Sequence, residues 1–166
     1  LLRMAETLGI RLACENMPSH GRPRPGVQME EVRSVIDGYP HEVVGLCLDT
    51  GHAYISGLDP AAEARIAGER LMALHLQDTD GVADRHWMPG QGKVNWAQLY
   101  AALTTMGFDG AWTFEVHVEP AAAAAAAHSI TFATSIAREG HVRRSWDGPL
   151  GGTGRMEIKF LFSEGG

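Results

Sequence analysis

One pattern recurs four times along this chain. A short apolar run closes on an acid or a histidine, a polar glycine-containing stretch follows, and then comes a segment with helical spacing. The apolar runs are residues 11–14, 43–48, 72–76 and 112–116. Their apolar character is nearly continuous rather than alternating, which predicts parallel strands covered on both faces. Helices are expected at residues 29–37, 60–70 and 96–106, the first and last with apolar residues three and four apart. Gly107 and Gly110 stop the third of these. A fourth helix is expected over residues 121–137, because alanine is the best helix former and Pro120 suits a helix start, with a low-complexity alanine tract as the alternative. The pattern is that of consecutive βα units.

Residues 1–8 read as the end of a helix running directly into the first strand, and the chain starts without methionine, so a missing beginning is expected. After Arg138 the sequence is rich in glycine and charge, with one strand-like stretch at residues 156–162. It continues no earlier pattern and reads as a tail or extension, for which disorder is one option.

Composition excludes several function classes. With 166 residues, 45% apolar and 20% charged, one soluble globular domain is expected. The net charge of −6 and the scattered cations supply no basic stripe for nucleic acid. No run approaches the roughly 20 apolar residues needed to cross a bilayer, and no signal peptide opens the chain, so a cytoplasmic protein is the default expectation. Cys14 and Cys47 lie inside apolar runs and read as buried thiols rather than a disulfide. No Gly-rich phosphate loop or dinucleotide fingerprint follows a strand.

In βα folds the C-terminal ends of the strands converge on one face, so polar groups there are functional candidates. The four runs end in Glu15-Asn16, Asp49-Thr50-Gly51-His52, His75-Leu76-Gln77-Asp78 and Glu115-Val116-His117. Carboxylates and imidazoles at adjacent strand ends form a mixed oxygen and nitrogen site, suited to Mn²⁺, Mg²⁺, Co²⁺ or Zn²⁺. Each residue also has a bland reading: Glu15 as a cap or a solvated loop acid, Asp49 as the cap of the next segment, His75 as a hydrogen-bonded core histidine. Four such accidents would have to fall at the same place in four successive units, which favours a shared site.

The order Glu-Asn, Asp-Thr-Gly-His, His-x-x-Asp, Asp-Arg-His with Pro-Gly-Gln-Gly, and Phe-Glu-Val-His resembles the xylose isomerase-like TIM barrels, the superfamily of sugar-phosphate isomerases/epimerases and endonuclease IV. The resemblance runs from Leu1 to about Ala137, and its most specific pieces are residues 49–52 and 84–92. It implies an α/β fold, a (β/α)8 barrel of which four C-terminal units are present, and a division into a half-barrel at residues 1–138 and a non-family extension at 139–166. A half-barrel of this kind has two open edges and an uncovered interior, which points to a homo-oligomer or a complementing N-terminal half as partner.

The resemblance also implies roles. One divalent metal would be held by Glu15, Asp49, His75 and Glu115, and His52, Arg85 and His86 would contact the substrate. That substrate would be a small sugar or sugar phosphate, isomerised or epimerised by proton transfer through a metal-stabilised enediolate, with Glu15 and Glu115 as the acid and base. Two alternatives stand beside this one. The first is an endonuclease IV-like phosphodiesterase with Asp84 and His86 as additional metal ligands; the second is a half-barrel that is inactive alone or serves in assembly. His117 is close enough to Glu115 in sequence to orient a ligand, although a solvated loop histidine is the plainer reading.

Overall fold

The computed structural model describes residues 1–116 with their side chains, together with the backbone of residues 141–144 and 156–163. The expected alanine-rich helix over residues 121–137, and His117, lie outside the described residues. In chain order the elements are α1 (Leu2–Leu8), β1 (Leu12–Glu15), α2 (Met29–Ile36), β2 (Val44–Asp49), α3 (Thr50–Ile55), α4 (Pro60–Ala67), β3 (Leu71–Leu76), α5 (Trp96–Met106), β4 (Ala111–Val116), β5 (His141–Arg144) and β6 (Met156–Ser163). The βα recurrence thus becomes a parallel run β1-β2-β3-β4, with β6 and then β5 added antiparallel beyond β4. The strand-like stretch near residue 156 is β6, so the edge of β4 expected to be open carries a partner. Pairing of its backbone groups there is the general remedy for an exposed edge.

Alternation within the strands divides the sheet into two faces. Leu46, Leu48, Leu74, Leu76, Phe114 and Val116 point to the helices and form the core with Met29, Val32 and Ile36 of α2 and Leu99 and Leu103 of α5. Burying side chains of this size contributes about 1.5–3 kcal/mol each. From α4 come Ala61, Ala64 and Ala67, all fully buried, whose small side chains let this helix lie close to the sheet. The intervening residues, among them Glu15, Asp49, His75 and Glu115, fall on the other face.

One irregularity sets which residues stand opposite one another. Leu46 pairs with Leu71 but Cys47 pairs with Ala73, so Met72 is an extra residue in β3. Beyond this bulge Asp49 stands opposite His75; without it Leu74 would occupy that place.

The sequence pattern does not predict helix α3. Its residues, Thr-Gly-His-Ala-Tyr-Ile, read as a polar loop followed by a few apolar residues, but Asp49 caps it by accepting a 2.7 Å hydrogen bond from the His52 backbone N–H. The expected helix over residues 60–70 ends at Ala67 and tightens into a 3₁₀ turn, Gly68–Arg70. Both cysteines are free, Cys47 buried and Cys14 partly so. Among the described residues no helix is long and apolar enough to cross a membrane.

The long connection from β3 to α5 is organised by Asp78, which is fully buried. Its Oδ1 accepts from the backbone N–H groups of Thr79 at 2.8 Å and Val94 at 3.1 Å. Its Oδ2 accepts from Gly90 N–H at 2.8 Å and from the Trp96 indole at 2.9 Å. The Asp78 backbone also bridges that of Trp87. Gly92 packs against this carboxylate so closely that a Cβ there would lie 2.6 Å from the Thr79 nitrogen, which accounts for the second glycine of Pro-Gly-Gln-Gly. Removing the carboxylate by Asp78→Ala strands three buried donors, those of Thr79, Val94 and the Trp96 indole, each costing about 1–3 kcal/mol when unpaired. A loss of at least about 3 kcal/mol in urea unfolding is expected, and a variant within about 1 kcal/mol of wild type would refute this role.

Candidate metal centre

Each of the four parallel strands delivers one side chain to a common point. Glu15 closes β1, Asp49 closes β2, His75 is the penultimate residue of β3 and Glu115 the penultimate residue of β4. One donor atom from each lies within 4.8 Å of the donor atoms of the other three. Asp49 is fully buried, the Glu115 side chain is 9% exposed, and those of His75 and Glu15 are 26% and 28% exposed. The cluster therefore has a closed floor and an open mouth.

The His75 ring tests whether this cluster suits a cation. Its Nδ1 is buried and lies 3.2 Å from Glu15 Oε1 and 3.0 Å from Glu115 Oε2, yet it has no hydrogen bond of acceptable geometry to either. A buried polar nitrogen is costly without a partner. Three carboxylates and one imidazole nitrogen converging on one point would suit a hard or borderline divalent ion, so the residues fit the group.

Charge perturbations follow from the crowding. Burial pushes the Asp49 carboxyl up, against the contacts with His52 and Gln77. Cys47, then Glu15, hold His75 up to about 10 despite burial. Burial also raises the Cys47 thiol itself. Burial alone would lower His52, but the Asp84 hydrogen bond, the Asp49 charge and the Asn16 carbonyl push it up to about 9. Asp84 is likewise opposed by burial, yet hydrogen bonds from His52, His86 and Gln77 hold it well below the usual carboxylate range.

The expected substrate contacts are placed differently from one another. His52 has both ring nitrogens engaged, Nδ1 at 2.9 Å from the Asn16 carbonyl and Nε2 at 3.3 Å from Asp84 Oδ2. His86 places Nδ1 2.8 Å from the Glu115 carbonyl and Nε2 3.2 Å from Asp84 Oδ2. Its backbone takes a left-handed φ of 52°, a strained conformation for histidine that costs about 1–3 kcal/mol and is common at functional sites. Arg85 pairs with Asp80 at 2.9 Å and lies over the Trp87 ring, so its guanidinium is engaged within its own loop. Asp84 stands between His52 and His86.

Two residues that stand at the strand ends in the sequence, but to which it assigns no role, support the cluster. Asn16 accepts from the Asp49 N–H at 2.7 Å and donates to the Asp49 carbonyl at 3.2 Å, joining β1 to β2 at the level of the site. Gln77 donates to both Asp49 oxygens and to Asp84. Their only sequence signal is position, each immediately beyond a strand end.

The family described as xylose isomerase-like TIM barrel matches residues 1–136. The chain belongs to that family. This xylose isomerase-like chain superposes on a D-tagatose 3-epimerase-like protein with a TM-score of 0.71 and 24% identity, covering 82% of this chain and 50% of that one. A Thermus thermophilus protein soaked with ZnCl₂ gives a TM-score of 0.61 and 33% identity over 84% of this chain and 50% of that one. An uncharacterized protein of Methanocaldococcus jannaschii is 28% identical over 118 residues, 69% of this chain and 40% of its own length. The chain therefore spans about half, or less, of the length of these proteins.

The raised histidines link folding to pH. A ring that binds its proton more tightly when folded stabilises fully below its unfolded value near 6.5 and loses that contribution as pH climbs through about 9 for His52 and about 10 for His75. With a chelator present, the urea midpoint is expected to fall between about pH 6.5 and about pH 10. A flat profile would contradict the assigned contacts.

Proposed function

We propose that this segment carries the metal-binding half of a sugar isomerase or epimerase site. The carrying observation is the convergence of Glu15, Asp49, His75 and Glu115 at the ends of four successive parallel strands. Membership of the xylose isomerase-like family and the shared fold of a D-tagatose 3-epimerase-like protein support the reaction class. The substrate in this reading is a small sugar or sugar phosphate, and the activity belongs to the complete barrel.

The roles follow from exposure and chemistry. Asp49, enclosed on all sides, has no access to substrate carbon and serves as a ligand, as does His75 through Nδ1. A bound divalent cation supplies Lewis-acid polarisation of a carbonyl and its neighbouring hydroxyl, which acidifies the adjacent C–H. Glu15 and Glu115 approach the same His75 nitrogen from β1 and β4, the two outer strands of the parallel run, so their carboxylates can flank a substrate lying over the site. One takes the proton from carbon as a base and the other returns a proton to the opposite face, inverting that centre with no net redox change. General acid–base catalysis of this kind contributes about 10²–10⁴-fold in rate.

The phosphodiesterase alternative requires Asp84 and His86 as further ligands. In the structure Asp84 is held by His52, His86 and Gln77, and among the described residues the one group with converging donor atoms is the set of four. The observation favours a single ion.

Two measurements check the reading. In the full-length protein, one Mn²⁺ or Zn²⁺ per chain is expected, and two or three would favour the phosphodiesterase. Affinity should rise with pH, by up to about tenfold per unit for each proton displaced from a ligand such as His75. Separately, Glu115→Gln should abolish exchange of solvent deuterium into a ketose substrate while leaving the protein folded. Exchange at the wild-type rate would remove Glu115 from proton transfer.

A further inference from the structure

Gln77 is fully buried one residue beyond β3, and its side-chain amide lies between the four-residue cluster and the loop that follows the strand. Its Nε2 donates to Asp84 Oδ1 at 2.8 Å and to Asp49 Oδ1 and Oδ2, both at 3.2 Å. Its Oε1 accepts the His86 backbone N–H at 3.0 Å. These partners fix the orientation of the amide, because carboxylates only accept and a backbone N–H only donates. One neutral side chain thus ties a carboxylate of the cluster to both ends of the Asp84–His86 segment.

The backbone around it is built to hold that side chain in place. Thr50 Oγ1 donates to the Gln77 carbonyl at 2.7 Å and accepts the Gln77 N–H at 3.0 Å, so the residue after Asp49 fixes the main chain of Gln77. Gly51 packs directly against the amide, and a Cβ there would lie 2.5 Å from Gln77 Oε1. Glycine at this place therefore keeps the room the amide occupies.

From this geometry we infer that Gln77 is a positioning residue that couples occupancy of the metal centre to the conformation of the Asp84–His86 segment. The inference rests on the four-ligand reading above. Its physical basis is that Asp49 and Asp84 share one amide group, so the orientation of either carboxylate constrains the other. When Asp49 is drawn toward a cation, its orientation is set, and Gln77 relays that orientation to Asp84 and to the strained His86 backbone. A glutamine is suited to this because its two N–H groups satisfy two anions without adding charge, and its carbonyl still accepts. Partners of metal ligands in such positions typically change metal affinity or activity by about 10–100-fold when removed.

The experiment is hydrogen exchange of the peptides spanning residues 84–87 in the full-length protein, with and without saturating Mn²⁺, alongside calorimetric titration of the same ion. Wild type is expected to bind Mn²⁺ and to show at least about tenfold slower exchange in this segment when loaded. Gln77→Met, close in shape but unable to hydrogen-bond, is expected to bind about 10–100-fold more weakly. At saturating ion it should no longer slow exchange at 84–87. Gly51→Ala, which displaces the amide without deleting it, should reproduce that loss. Because saturation removes the affinity difference, a merely stabilising role would leave the metal-dependent protection unchanged. Ion binding with no change in wild-type exchange, or equal protection in wild type and Gln77→Met, overturns the coupling and leaves the four-ligand reading standing. Failure of wild type to bind Mn²⁺ or Zn²⁺ overturns both.

Discussion

A carboxylate with no exposure, Asp49, sits at the end of β2, an inner strand of the sheet, and the surrounding structure is arranged to make its burial tolerable. An isolated buried charge would cost far more than a domain can spare, so it must be met by hydrogen bonds or by opposite charge. The His52 backbone N–H and the Gln77 amide meet the oxygens, and Asn16 pins the backbone on the neighbouring strand. These donors are neutral. The charge itself remains only partly compensated, with Glu15 and Glu115 adding to it, and a divalent cation is the chemical species that would complete the balance.

The same logic extends outward. His52 and His86 bracket Asp84, Asp84 shares the Gln77 amide with Asp49, and Asp78 gathers four donors to hold the connection on which these residues ride. Such buried polar networks are worth having only when every member is satisfied. Here one loop carboxylate is devoted to shape and another to the site, although they stand only six positions apart. The left-handed backbone of His86 is anchored by its N–H on the Gln77 amide oxygen and by its ring at the Glu115 carbonyl.

The strands and the main helices were legible because burial on both faces produces continuous apolar runs and burial on one face of a helix produces spacings of three and four. The four clustered residues were legible because each is a polar residue at the end of such a run. The helix α3 was not legible: its stability comes from the Asp49 cap and from packing, not from the propensities of Thr50, Gly51 and His52. The structure satisfies both readings of Asp49, as a cap and as a member of the cluster, since different lone pairs can serve the two ends. The role of Gln77 was not legible for a simpler reason. A glutamine beyond a strand end is ordinarily solvated, and only the fold reveals that its amide has two carboxylates within reach.

What the chain's sequence determined by itself is the set of chemical groups and their succession: Glu15, Asp49, His75 and Glu115, one to a strand, in an order that also marks the family. That they meet is a property of the folded sheet. The meeting depends on the sheet's register, and an extra residue at Met72 puts His75 rather than Leu74 opposite Asp49. A shift of one residue reverses the face on which every later side chain of a strand falls, and such a shift leaves no trace in local composition. The order of residues decides which atoms are available. Pairing across strands decides the few ångströms between them, because backbone hydrogen bonds and core packing, not the site residues, choose the register.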